Sequence, residues 1–282
     1  MQTYNLQTFD AGVMRWSATD PPYLYFPGFA ETGLVTQAFS TRLGGVSSGY
    51  YATLNFGMLT KDDRAHVLEN YRRMAAALGT REERMVLSHQ SHTTNLRIVT
   101  EEDAGKGLTR PRDYRDVDGL LTNVRDLTLV TFYADCVPLF FLDPVKKAIA
   151  LSHSGWRGTA ARMGAVTVAR MQKEFGSDPA DILAGIGPSI CRDCDEVDDT
   201  VYRGFAQTFS KEQMDRIFTP GRPEHYQLDL WLANRLVLLD AGLLPAHIET
   251  AGLCTSCHSD WLFSHRATGG KRGLMCAFLR LL

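Results

Sequence analysis

Four short apolar runs, over residues 95–99, 128–133, 139–142 and 148–152, are each closed by polar or turn-forming residues. Runs this short and this rich in valine, isoleucine, leucine, phenylalanine and threonine make strands, not helices. Residues 36–40, 182–186, 248–253, 261–264 and 274–281 read the same way. Helical spacing interrupts them. Over 64–78, Val67, Leu68, Tyr71, Met74, Ala75 and Leu78 form a stripe, with Asp62 or Asp63 to cap it and Gly79 to end it. Further helices are expected over 159–175, 196–209 and 229–241, and the opening to about residue 27 reads as a strand and loop. The mixture predicts an α+β fold. No repeat or Pro/Gly/Ser-rich linker divides it, so residues 1–282 read as one domain.

A chain of 282 residues can bury a core without disulfides or metal staples. Thirty basic residues against thirty-two acidic ones leave a net charge of −2, so no overall field favours nucleic acid or an anionic membrane, and neither is an expected partner. The start lacks a basic segment followed by an apolar one, as a secretory signal would have. The longest apolar stretch, 127–142, is broken by Asp135 and Pro138 and falls short of the roughly 18 residues of a membrane span. The expected location is the cytoplasm, where six cysteines point to metal binding or chemistry before cross-linking.

The densest chemistry lies at strand ends. One run leads into Ala134-Asp135-Cys136-Val137-Pro138, another into Ser152-His153-Ser154-Gly155-Trp156-Arg157-Gly158. Cys136 and His153 are therefore expected at neighbouring strand ends, and Ser88-His89-Gln90-Ser91-His92 offers a second histidine. A Cys/His/His set is a zinc set, and three protein ligands leave a fourth position for water or substrate. A buried cysteine after a strand is equally a small core residue, and spacing alone does not separate the two.

Ser40-Thr41-Arg42-Leu43-Gly44-Gly45-Val46-Ser47 followed by Leu54-Asn55-Phe56-Gly57 resembles the opening signature of the laccase-domain family, once called multicopper polyphenol oxidases. Gln90-Ser91-His92, Asp118-Gly119, the two strand-end motifs, Gly187-Pro188-Ser189-Ile190 and Phe263-Ser264-His265-Arg266 follow in the family's order. The resemblance implies mixed β-sheets in a layered α/β/β/α sandwich, as in cysteine-hydrolase-like folds, and a monomer or homodimer. It implies zinc at His92, Cys136 and His153, and favours His92 over His89. Thr93, Ser154 and His265 depart from the usual pattern without touching a ligand position.

The activity implied is zinc-dependent phosphorolysis of purine nucleosides (adenosine, inosine, guanosine, methylthioadenosine) with phosphate, together with adenosine deamination. Arg42, Arg157 and Arg266 lie inside matched motifs, and guanidinium groups suit phosphate. They are the phosphate candidates, Arg42 as a catalytic group or else a brace for its loop. Asn55 and Gln90 are further substrate candidates. Asp118 and Asp135 are candidates to orient a ligand histidine, Asp135 also to contact substrate or cap its turn.

Two other activities stay open. The same donors bind Cu(II), as a polyphenol oxidase would need; a true laccase resembles a chain with about ten histidine ligands, and this one has eight histidines and no His-Xaa-His pair. Cys136 with His153 also fits a cysteine hydrolase, since the implied fold is similar to a Cys-His deamidating toxin domain and some members are amidases of peptidoglycan precursors. Finally, Cys191-Xaa-Xaa-Cys194 and Cys254-Xaa-Xaa-Cys257 form paired CxxC motifs about sixty residues apart. A second metal site, redox chemistry and ordinary cysteines all fit them.

Overall fold

Alternate side chains of one strand enter different cores. In the computed structural model, which describes residues 6, 9 and 11–282, Leu129 and Tyr133 of strand Thr128–Tyr133 enter one apolar cluster and Val130 another. Phe140 and Leu142 of Val137–Asp143 join that first cluster, while Leu139 and Phe141 enter a third. This period of two makes sheets that are apolar on both faces.

Two sheets result. One runs, edge to edge, Arg15–Trp16, Tyr23–Tyr25, Val35–Ser40, Met275–Leu281, Thr128–Tyr133, Met85–Leu87; the other Ile248–Thr250, Leu183–Ile186, Val137–Asp143, Ala148–Ser154, Gly119–Thr122, Leu96–Ile98. Their shared core lies between them. Helix Arg64–Ala77 covers the outer face of the first through Val67, Tyr71 and Met74. Helices Met163–Phe175, Asp199–Ala206 and Leu230–Asp240 cover that of the second. This is the α/β/β/α sandwich expected. A small sheet of Glu196–Asp198, His225–Leu228 and Phe218–Pro220 lies beside it. Among the described residues no helix is long and apolar enough to cross a membrane.

Several boundaries differ from expectation. The helix expected over 159–175 is two, Trp156–Ala160 and Met163–Phe175, separated where Arg162 takes a left-handed φ of 59°. The one expected over 196–209 opens as strand Glu196–Asp198, and Asp198 caps helix Asp199–Ala206 by accepting from the Val201 N–H. Residues 261–264 are not a strand: the N–H groups of Trp261 and Leu262 turn back to the His258 carbonyl. Most of the opening before residue 11 lies outside the described residues.

One buried amide ties the segment over 40–57 to its helix. Asn70 Oδ1 accepts from the Val46 N–H (3.0 Å), and Nδ2 donates to Ser47 Oγ and the Asn55 carbonyl (both 2.9 Å). Asn70→Ala orphans these groups and is expected to lower unfolding free energy by about 2–3 kcal/mol, read by urea denaturation.

Candidate metal centre and active site

The strand register brings the cysteine to the histidine. Pro138 pairs with His153 and Val137 with Ser154, so Cys136, one residue earlier, stands beside Gly155. His92 arrives on the loop between Met85–Leu87 and Leu96–Ile98, with φ 64°. Ligand atoms of His92, Cys136 and His153 all lie within 4.8 Å of one another, His153 buried and His92 exposed.

A single carboxylate holds two of the three. Asp118 Oδ1 accepts from His153 Nδ1 (2.9 Å) and the His92 N–H (3.0 Å). Its Oδ2 accepts from the N–H groups of Ser91 (2.9 Å) and Thr93 (3.1 Å) and from Thr93 Oγ1 (3.0 Å). Burial alone would raise the Asp118 carboxyl; the hydrogen bonds from His153 and the loop outweigh it and hold it down at about 2. With Nδ1 engaged, His153 keeps Nε2 for a ligand. Burial likewise pushes the Cys136 thiol up, and the His153 and His92 imidazoles more than offset it, favouring thiolate. Two imidazoles and a ready thiolate, one ring fixed by a carboxylate, fit zinc, and three donors leave a position open.

The three line a cavity of about 880 Å³, large enough for a small organic substrate. Its walls include the apolar Met58, Phe132, Trp156 and Ile190 and the cations Arg112, Arg157, Arg266 and Arg272. The Arg157 side chain makes no ion pair or hydrogen bond among the described residues; its guanidinium lies 4.2 Å over the Trp156 ring. Arg272 is half-buried, its Nε is without a partner, and burial pulls its pKa down against the charges of Asp135 and Cys136.

Several sequence candidates make bracing contacts. Arg42 does not line the cavity: it donates to the carbonyls of Ala52 (2.7 Å) and Ser259 (2.8 Å) and stacks on Phe263. Asn55 is buried away from it, its amide spent on Thr60, Asp62, Gly57 and Leu274. Gln90 reaches the wall but exchanges both amide groups with the Phe132 backbone (2.8 and 2.7 Å). Asp135, with φ 86°, lines the cavity but touches neither histidine: it accepts from Thr255 Oγ1 (2.6 Å) and the Arg266 N–H (2.7 Å). Arg266 lines the cavity with its guanidinium held by Asp195 (2.8 Å) and the Cys194 carbonyl (2.7 Å). Arg272 was missed; its signal was a basic pair inside a glycine-rich turn, Gly269-Gly270-Lys271-Arg272-Gly273.

An α/β/β/α sandwich that sets a Cys–His–His group on the wall of a substrate-sized cavity belongs to a class of small-molecule enzymes. The family model described as multi-copper polyphenol oxidoreductase laccase matches residues 36–282, and the chain belongs to that family. It is 37% identical over 272 residues to the purine nucleoside phosphorylase YlmD of Bacillus subtilis (strain 168), covering 94% of this chain and 96% of that one. It is 31% identical over 247 residues to the adenosine deaminase RL5 of an unknown prokaryotic organism, covering 87% and 94%. The crystal structure of the Bacillus licheniformis hypothetical protein YfiH superposes with a TM-score of 0.90 at 35% identity, covering 99% of this chain and all of that one.

Proposed function

We propose that this protein is a zinc-dependent purine nucleoside phosphorylase that also deaminates adenosine. One observation carries the reading: the Cys–His–His group and two guanidinium groups that make no ion pair among the described residues, Arg157 and Arg272, face the same cavity. The names of the relatives support it. Zinc held by His92, Cys136 and His153 supplies a Lewis acid with an open position. The rest falls to the chain. Arg157 and Arg272 bind phosphate and spread its charge; the cavity's apolar residues, Phe132 and Trp156 among them, hold the base. A phosphate oxygen forms its bond to C1′ of the sugar as the bond to the purine nitrogen breaks, and the electron pair leaves with the base. Asp118 keeps His153 in one tautomer throughout. Adenosine, inosine, guanosine and methylthioadenosine are the substrates to test.

Chromatography of purified protein with inosine or adenosine, with and without phosphate, tests this beside metal analysis. Phosphate-dependent release of free base, lost together with zinc in His92→Ala, is the expected result. Undiminished turnover by metal-free protein, or none by zinc-loaded protein, overturns it; copper as the bound metal would revive the oxidase reading. Arg157→Ala and Arg272→Ala are each expected to raise the KM for phosphate about tenfold or more while zinc stays bound.

A second reading has its own observation. Cys136, His153 and Asp118 stand in the order nucleophile, base, orienting acid, as a cysteine amidase would need. Thiol alkylation that abolishes activity while metal stays bound would favour it, with peptidoglycan-precursor amides as substrates.

A further inference from the structure

The two CxxC motifs meet. Strands Leu183–Ile186 and Ile248–Thr250 run parallel, pairing Ala184 with Ile248 and Ile186 with Thr250. The pairing extends past the strands as a parallel bridge between Ser189 and Cys254. The chain therefore leaves the same end of the sheet twice, side by side, and each exit carries one CxxC turn. The Sγ atoms of Cys191, Cys194, Cys254 and Cys257 all lie within 4.8 Å of one another. Cys194 is 3.5 Å and Cys191 4.0 Å from Cys257, sulfur to sulfur.

We infer that these four cysteines form a second, structural zinc site, distinct from the Cys–His–His centre. A disulfide requires sulfurs about 2.05 Å apart, and none is present; all four thiols are free. Tetrahedral zinc with bonds of ~2.3 Å places its sulfurs ~3.8 Å apart, between the two separations seen. Cys254 Sγ also accepts N–H groups from Cys191 (3.3 Å) and Cys257 (3.4 Å), the backbone pattern that suits a thiolate ligand. Four protein donors leave no open position, so this zinc holds structure and takes no substrate.

What it holds is a wall of the catalytic cavity. Thr255, inside one CxxC, donates to Asp135, the neighbour of Cys136. Asp195, directly after the other, pairs with Arg266, whose backbone N–H donates to the same Asp135. The knot thus fixes the turn that presents the catalytic-site thiolate.

Metal content and cobalt substitution test the site independently of any activity. Wild-type protein is expected to hold two zinc ions per chain. Cys136→Ala is expected to keep one, and on cobalt loading to show the sulfur-to-metal charge transfer and strong d–d bands of a tetrathiolate. Cys257→Ala is expected to lose this second zinc and melt lower, while Cys257→His, which supplies another zinc ligand, keeps it. Should the alanine variant fail to fold, the histidine variant and Cys136→Ala still decide. Metal-free Cys136→Ala, a disulfide among the four in purified protein, or iron in place of zinc would each overturn the inference. A wild-type chain with one zinc that survives Cys136→Ala would uphold it while removing the first centre.

Discussion

Asp118→Asn is expected to lower zinc affinity at the Cys–His–His centre 10–100-fold and base release by at least about 10²-fold, with the fold retained. The substitution is isosteric, so packing is unchanged. The hydrogen bonds are not. Both Asp118 oxygens accept, Oδ1 from His153 and the His92 N–H, Oδ2 from Ser91 and Thr93. An asparagine amide carries two donors, and either orientation turns them on groups that also donate. If the NH2 faces the 91–93 loop, the loop is pushed off and takes His92 with it. If it faces His153, the ring must accept at Nδ1, which drives its proton onto Nε2, the atom left for metal. One ligand is lost either way. Equilibrium metal binding and chromatographic turnover on the same preparation measure both effects; full metal with full activity would contradict this role for Asp118.

Acid probes the same carboxylate. Its pKa lies below the unfolded value, so its contribution to stability is fully present above ~4 and is lost as the pH falls towards 2. Zinc bound at the proposed centre is expected to leave at higher pH than that, because protons compete for the imidazoles and the thiolate. A metal-loss midpoint above the unfolding midpoint in an acid titration is the expected pattern.

How much of this was legible depends on what each feature leaves in the chain. Strand Thr128–Tyr133 and helix Arg64–Ala77 were readable because alternation and the 3.6-residue stripe are local. Met85–Leu87, three residues long, is too short to show a period, and its pairing with Thr128–Tyr133 lies more than forty residues away. Trp261, Leu262 and Phe263 misled because burial alone resembles a strand when three apolar residues are adjacent. The three metal-site candidates came from motif chemistry, and they converge. Arg42 and Asn55 came from motifs too, yet a motif does not distinguish a residue that touches substrate from one that braces the loop beneath it. Arg272 shows the converse: its candidacy depends on a guanidinium without an ion pair in a cavity wall, which only three dimensions display.

The glycines of His153-Ser154-Gly155-Trp156-Arg157-Gly158 offer a sharper test, because the two should behave oppositely. Gly155 has φ −71° and ψ 179°, a conformation any residue adopts, so backbone freedom does not explain it. Space does. A Cβ on Gly155 would sit 2.9 Å from Cys136 Sγ and 3.3 Å from His92 Cδ2, between two of the three donors. A cysteine side chain is too short to swing clear, so the thiolate or the turn carrying it must move. Displacements near 1 Å at a reacting centre lower rates about 10²-fold, and overpacking of this kind costs about 1–3 kcal/mol of stability. Gly155→Ala is therefore expected to fold, melt somewhat lower, hold zinc weakly and lose about two orders of magnitude in turnover. A Cβ on Gly158 meets nothing closer than the His153 carbonyl oxygen at 3.4 Å, an ordinary contact. Gly158→Ala should keep near wild-type zinc content and activity. Equal losses in the two variants would mean that the motif is constrained by its helix and not by the metal donors it packs against.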